Sequence, residues 1–499
     1  MCTRFVIACY VMMINLEFLH PQSLFLPEDF RCEERRDMKI AEKLIFFENK
    51  IKVLENQIRR INAKKVEDPV RLMGREFYMV FPPLFADDGR SYCVLYIVST
   101  SPGTCTVALP LLTIRYTLEL KQGENHLFLP SSYMALENQV EKKGVHIECD
   151  VFVNVYAVKH DKFTTTAFLV LPMHSRFHYK YRYIPSIQPN PVSVAYSHLY
   201  NSTISIVSSG DNNVVKIQLN LTEGESIHID DQEYAYNESI HLILNKYESL
   251  VISQSADLTG STISSIDPIF VATGNKCARL HDDNACSGMN FMIPSDNSDQ
   301  EVNYDSEHVF ITPLFHPFLR GYKIRILSRK NDCRIQYNIG QENKTQTLFV
   351  QNNYVDIDVD SNVPVYIRTS RFVSVTVITP GKNNTDGIGT AFMLYIPEEG
   401  ALLSEYHFTV PDLNTTSYIT VISRNVSNIR LDENIIDVNR TLIYDINEKS
   451  YDVISLPIQP GYHVARNVLK ETFSLYVYGK QKPNLGYGFP AGFDLSNKL

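Results

Sequence analysis

From Arg75 onward the apolar residues come in short runs of alternating β-branched and aromatic side chains, broken by Asn, Asp, Gly, Ser and Pro. Alternation with a period of two puts one face of a strand into a core and the other outside. No longer stretch there keeps a clean helical period, so this part of the chain is expected to be all-β.

The one helical pattern lies over residues 38–62. Ile40, Leu44, Phe47, Ile51, Leu54, Ile58 and Ile61 recur at alternating spacings of four and three. That is a heptad seam, with Leu44, Ile51 and Ile58 at a and the others at d. Lys43 and Lys50 fall at g, and Glu48 and Glu55 at the e positions that attract them across a parallel pair. Glu48–Lys52 and Glu55–Arg59 add support within one helix. The spacing predicts a short coiled-coil stalk over 28–68. Ile45, Phe46 and Val53 widen the apolar face, so the alternative is one amphipathic helix packed on the rest of the chain. Cys32, just before the helix, is the candidate interchain disulfide.

The β region repeats. One hairpin pattern recurs at 93–109, 202–219, 322–337 and 417–431. In each copy the first strand ends on an aliphatic residue followed by Ser: Val98-Ser99, Val207-Ser208, Leu327-Ser328 and Ile422-Ser423. A second apolar strand follows at 151–157, 268–272, 373–378 and 473–479. A closing strand then runs into proline at 167–172, 290–294, 391–397 and 486–490. The expected architecture is mainly β, with four repeated β-sandwich-like modules over 75–172, 177–294, 308–397 and 405–492. The short linkers predict modules that pack on one another.

The first residues change the compartment. Arg4 precedes the apolar run Phe5–Leu16, the pattern of a signal peptide over 1–24. The run is short against the roughly 20 apolar residues of a membrane span, and a signal anchor is the alternative. Beyond it stand Cys32, Cys93, Cys105, Cys149, Cys277, Cys286 and Cys333, with no CxxC and no zinc-ligand spacing. In an exported protein such cysteines form disulfides. Asn-x-Ser/Thr sequons occur at Asn201, Asn220, Asn237, Asn343, Asn383, Asn414, Asn425 and Asn439, candidate glycosylation sites in such a protein. The net charge of −9 and the lack of a long basic run give no reason to expect a nucleic-acid partner. The 29 Tyr and 26 Phe, with no Trp, favour strands.

A search for chemistry finds no nucleophile elbow, no HExxH, no P-loop and no EF-hand loop. Gly387-Ile388-Gly389 reads as a turn. His281-Asp282-Asp283 beside Cys277 and Cys286 reads as a polar loop clipped by a disulfide rather than a metal site. The acidic stretches Asp230-Asp231-Gln232-Glu233 and 296–301 read as solvated loops rather than Ca²⁺ sites. No catalytic residue, cofactor or metal is expected.

The segment ADLTGSTISSIDPIFVATGNKC (256–277), with GREFYMVFPP (74–83), 153–172 and 205–217, resembles the N-terminal region of the IgG Fc-binding protein family. The end, YVYGKQKPNLGYGFPAG (476–492), resembles the family's terminal motif. The resemblance covers about 75–492. It implies a Cys277–Cys286 disulfide and architectural roles for Asp257, Leu258, Thr259, Gly260 and Pro268. It also implies immunoglobulin binding and, more broadly, an extracellular scaffold of adhesive or matrix character. The chain lacks the von Willebrand and trypsin-inhibitor-like modules of the large mucus proteins. The expected function is a secreted, non-enzymatic binding or matrix protein with an extracellular protein or glycan ligand, oligomeric through the helix. The alternatives are a membrane-tethered receptor ectodomain and an enzyme acting on glycan or protein.

Overall fold

The computed structural model describes residues 73–83, 89–161, 164–173, 180–182, 201–278, 287–294, 307–317, 320–340, 342–380, 390–413, 415–436, 441–444, 450–481 and 485–494. The signal segment, the 38–62 helix with its seam residues Ile40, Leu44, Phe47, Ile51, Leu54, Ile58 and Ile61, and Cys32 lie outside them.

The described chain is mainly β, with only single 3-10 turns between strands. The first strands are β1 (Gly74–Met79), β2 (Tyr92–Ser99), β3 (Gly103–Leu109), β4 (Ile114–Leu120) and β5 (Gly123–Leu129). The short β6 (Val140–Glu141), the long β7 (Val145–His160) and β8 (Thr165–Val170) follow. The next group is β9 (Lys180–Arg182), β10 (Ser202–Ser208), β11 (Asn213–Gln218), β12 (Ser226–Ile229) and β13 (Gln232–Ala235). It continues with β14 (Ser239–Leu244), β15 (Ser249–Gln254), β16 (Thr262–Ser265), β17 (Ile269–Ala278) and β18 (Ser287–Met292). The third group is β19 (His308–Ile311), β20 (Arg320–Ser328), β21 (Cys333–Ile339) and β22 (Glu342–Leu348). It closes with β23 (Tyr354–Ser361), β24 (Val365–Thr369), β25 (Val373–Ile378) and β26 (Met393–Ile396). The last group is β27 (Glu405–Val410), β28 (Thr416–Ser423), β29 (Ile429–Leu431), β30 (Asn434–Ile435) and β31 (Thr441–Tyr444). It ends with β32 (Ser450–Ile458), β33 (Gly461–Asn467), β34 (Ser474–Gln481) and β35 (Leu485–Pro490).

One pairing order occurs four times. With eight positions lettered a to h in chain order, the two sheets are e-b-g-h and d-c-f-a. The third group shows it directly: β23-β20-β25-β26 and β22-β21-β24-β19. The second has β15-β10-β17-β18 and β14-β11-β16-β9, with the β12–β13 hairpin inserted between c and d. The fourth has β32-β28-β34-β35 and β30-β29-β33-β27, with β31 added at the outer edge of β32. In the first group f and g are a single strand. Residues 145–149 of β7 pair with β1 and β3, while 153–160 pair with β2 and β8, so one bent strand joins both sheets. These are called sheet pairs 1 to 4 below.

The recurring Ser at the end of position b has a physical role. Ser99 Oγ donates to Ser101 O at 2.5 Å, Ser208 Oγ to Gly210 O at 2.8 Å and Ser328 Oγ to Lys330 O at 2.6 Å. In pair 4, Ser423 Oγ accepts from the Asn425 amide at 3.2 Å. A buried hydroxyl bonded to its own backbone two residues on closes the b–c turn. Position f ends in the same way in pairs 2 and 3, where Ser265 and Thr369 donate to Asp267 O and Arg371 O, each at 2.7 Å. The uninterrupted β7 has no such corner.

The pairs are fused rather than strung out. The h strands meet: β8 lies beside β18 and β35, and β26 lies beside β35 and β18. Their approach is close enough to dictate residue type. A Cβ on Gly486 would lie 2.0 Å from Thr390 O, and one on Gly488 2.3 Å from the Phe392 ring. Thus the Gly-Tyr-Gly of the terminal motif is needed for contact between pairs 4 and 3. The cores run across the boundaries. Phe77, Ile97 and Val155 of pair 1 share a cluster with Val207, Val251 and Phe270 of pair 2. Ile324 and Val375 of pair 3 share one with Val453, Tyr476 and Tyr478 of pair 4. Tyr96, Val98 and Tyr156 of pair 1 pack with Phe408, Val410 and Phe489 of pair 4.

Candidate functional site

A dense polar centre lies where pair 3 meets pair 2. Ile324 and Ile326 of β20 point into the core of pair 3, so alternation sends Arg325 to the opposite face. Pair 2 covers that face, and Arg325 is only 4% exposed. Its Nε and Nη2 donate to the two oxygens of Asp356, on the neighbouring β23, at 2.7 and 2.8 Å. Its Nη1 crosses to pair 2, donating to Asp257 Oδ2 at 2.6 Å and Thr259 Oγ1 at 2.9 Å. Tyr354 donates to Asp257 at 3.3 Å and lies 4.1 Å below the guanidinium. Burial opposes the charge on Arg325. Asp356 and Asp257 more than offset this, so its pKa is raised. Gly260, at φ +97°, would place a Cβ 3.0 Å from Asn352 O of pair 3. The Asp-Leu-Thr-Gly segment is therefore a clamp between pairs. A saturated, buried fork of this kind positions backbones and leaves nothing free to react.

A second feature faces solvent. The sheet face of pair 1 that packs on pair 4 through Tyr96 and Val98 continues past pair 4 as a row of rings. Tyr92 stacks on His160 at 5.0 Å and meets Phe128 at 5.9 Å. His126 lies 5.7 Å from Phe128, edge to face, and 6.3 Å from Tyr96. The row runs from buried Tyr96 to Phe128, which is 59% exposed. Burial raises the pKa of Tyr92 and Tyr96, with Asp412 and Glu124 respectively adding to the rise. The neighbouring pair 4 is held by Asn154 Nδ2 donating to His407 O at 2.9 Å and by Thr409 donating to Glu124. Exposed aromatic side chains beside a rigid junction supply large contact area at low entropy cost.

The remaining sequence expectations fall as follows. Among the described residues, no group of three or more His, Cys, Asp or Glu is placed to hold a metal ion. Asp230 turns the β12–β13 hairpin, at φ 50°, and accepts from the Val140 amide at 3.2 Å. His281-Asp282-Asp283, 296–301 and Gly387-Ile388-Gly389 lie outside the described residues. Cys105 and Cys149, opposite each other on β3 and β7, form a disulfide, which spacing alone left open. Cys93 and Cys333 are buried free thiols. Cys277 is itself disulfide-bonded, and Cys286 lies outside the described residues.

Among the sequons, Asn220, Asn237, Asn343 and Asn425 are exposed. Asn201 is 8% exposed and its amide donates to Ser253 Oγ at 2.9 Å, so a glycan there would not fit the folded sheet. Asn383, Asn414 and Asn439 lie outside the described residues. Sequence reading did not single out Arg325, Tyr92 or Phe128. Each sits in an ordinary alternating strand, and only the docking of another sheet pair gives it meaning.

A family model described as IgGFc binding protein matches residues 166–479. The match begins at β8 and ends in β34, spanning pairs 2 and 3 and most of pair 4. No curated protein matches the chain.

Proposed function

This chain belongs to the IgGFc-binding family, and from that premise we propose that it is a secreted, non-enzymatic binding protein of adhesive or matrix character. Its ligand is an extracellular protein, and immunoglobulin Fc, named in the family's description, is the defined probe. The observation that carries the reading is the open ring row Tyr92–Phe128–His126, mounted on a sheet that pair 4 holds rigid. Preorganised aromatic anchors lose little entropy on binding. The Cys105–Cys149 disulfide supports an oxidising compartment. Among the described residues no helix is long and apolar enough to cross a membrane. The four sheet pairs are copies of one module, with boundaries near 75–172, 177–294, 308–397 and 405–492. The heptad pattern over 38–62 supports an oligomeric stalk that raises avidity. Binding of Fc to the immobilised full chain, compared with a Phe128→Ala variant, tests the reading. Equal binding by both, or none, would count against it.

A further inference from the structure

Strand β22 is the open edge of its sheet. Among the described strands it pairs only with β21, from Cys333↔Leu348 to Ile339↔Glu342. Six of its seven residues are exposed. Added strands cover two other edges, β6 on β15 and β31 on β32, while β4, β14 and β30, at the same position as β22 in the other pairs, also end their sheets. The charges of β22 sit at one end, where Lys344 Nζ lies 3.1 Å from Glu342. The next six residues, Thr345-Gln346-Thr347-Leu348-Phe349-Val350, carry no charge, no Pro and no Gly. Phe349 and Val350 are 70% and 61% exposed. Thr345–Leu348 lie on the unpaired edge with Phe349 and Val350 just past its end, and an uncharged, β-prone run on such an edge is a template for pairing with another chain.

Asn343 opens the sequon Asn343-Lys344-Thr345 on this same strand. The register fixes its direction. Lys344 and Gln346 stand opposite core residues Tyr337 and Ile335. Asn343 and Thr345 stand opposite Asn338 and Gln336, on the face away from the core, and both are exposed. The acceptor amide and the hydroxyl that completes the sequon therefore lie side by side on an accessible strand. We propose that Asn343 carries an N-linked glycan, joined through Nδ2, that shields the β22 edge and the 345–350 window from β-pairing with a second copy of this chain. The inference rests on the extracellular reading, because that glycan is added only in the secretory pathway.

The test expresses the full chain in mammalian cells that make only high-mannose glycans, and maps peptides from the medium by mass spectrometry. Glycan at Asn343 and none at buried Asn201 are expected. The folded glycoprotein is then trimmed with an endoglycosidase that leaves one sugar on each Asn. Trimmed protein and secreted Asn343→Gln should form concentration-dependent multimers by light scattering, while Asn425→Gln stays as the untreated chain does. Adding Gln346→Lys, which charges the window, should suppress the multimers. If Asn343→Gln fails to leave the cell, the trimmed wild type decides. Glycan at Asn425 with Asn343 bare overturns the proposal, as does trimmed protein whose mass stays that of the untreated chain. A chain retained in the cell with no glycan at any sequon overturns the extracellular reading and this proposal together.

Discussion

Arg325 and Asp257 meet across a boundary between two sheet pairs, Nη1 to Oδ2 at 2.6 Å, with the guanidinium simultaneously forked onto Asp356. The charge is buried, so its partners matter more than its own contribution. Removing Arg325 takes the forked cation from two carboxylates, leaving Asp356 with Lys323 at 3.7 Å and Asp257 with Tyr354. Breaking a buried pair from one side costs up to about 3–5 kcal/mol. Arg325→Met should lose that much. Asp257→Ala, which leaves the Asp356 fork intact, should lose roughly 1.5–3 kcal/mol. Denaturant unfolding of both single variants and the double variant checks this, and additive losses would show that the two residues are not coupled.

Gly486 lies where the closing strands of pairs 4 and 3 meet. A methyl group there would stand 2.0 Å from Thr390 O, so the backbones must part. Gly486→Ala should destabilise by about 1–3 kcal/mol, the usual range for overpacking. Gly400, whose Cβ would meet nothing within 4 Å, is the control. Thermal unfolding should separate the two variants clearly, and equal melting temperatures would show that the pairs do not dock through this contact.

Glu76 accepts from His146 Nε2 at 3.0 Å and from Tyr78 at 3.1 Å. The His146 hydrogen bond is the largest influence and lowers the Glu76 pKa, with burial opposing it. A carboxylate with a lowered folded pKa adds stability that is fully present above its unfolded value, here 4.5, and is lost as pH falls through the folded value. The effect is small because Glu76 is nearly half exposed, at 47%. Glu76→Gln should lose less melting temperature than wild type on acidification below pH 4.5. A variant that tracks wild type through that window would assign the acid sensitivity elsewhere.

The Cys105–Cys149 disulfide ties adjacent strands of pair 1. The double variant Cys105→Ser/Cys149→Ser should lose about 2–5 kcal/mol. Reduction should lower the melting temperature of the wild type by more than that of the double variant, which still holds the Cys277 disulfide. A variant as stable as the oxidised protein would mean that the bond adds nothing to the fold.

The legible parts of the sequence were those set by local period. Alternation marked the strands, and the recurring aliphatic-Ser ends marked turns that the hydroxyls do close. The Asp-Leu-Thr-Gly segment read as architectural, yet its partner Arg325 could not be found from sequence. The alternation Ile324-Arg325-Ile326 says solvent, and only pair 2 turns that face into an interior. Phe128 shows the reverse case, a strand-interior ring left more than half exposed beside Tyr92 and His126. The pairing of Cys105 with Cys149 needed the β3–β7 register, which spacing does not carry. Asn201 matched a sequon perfectly and is buried, because a three-residue motif holds no information about the sheet around it.

The most direct measurement is the affinity of the secreted, immobilised full chain for immunoglobulin Fc, with Phe128→Ala beside it. Phe128 is 59% exposed, so its loss should leave the fold intact. Truncating a central aromatic anchor costs about 2 kcal/mol or more, so saturable binding by wild type and an affinity at least tenfold weaker for the variant are expected. No saturable binding, or equal binding by the two chains, would contradict the claim that this face takes a protein ligand.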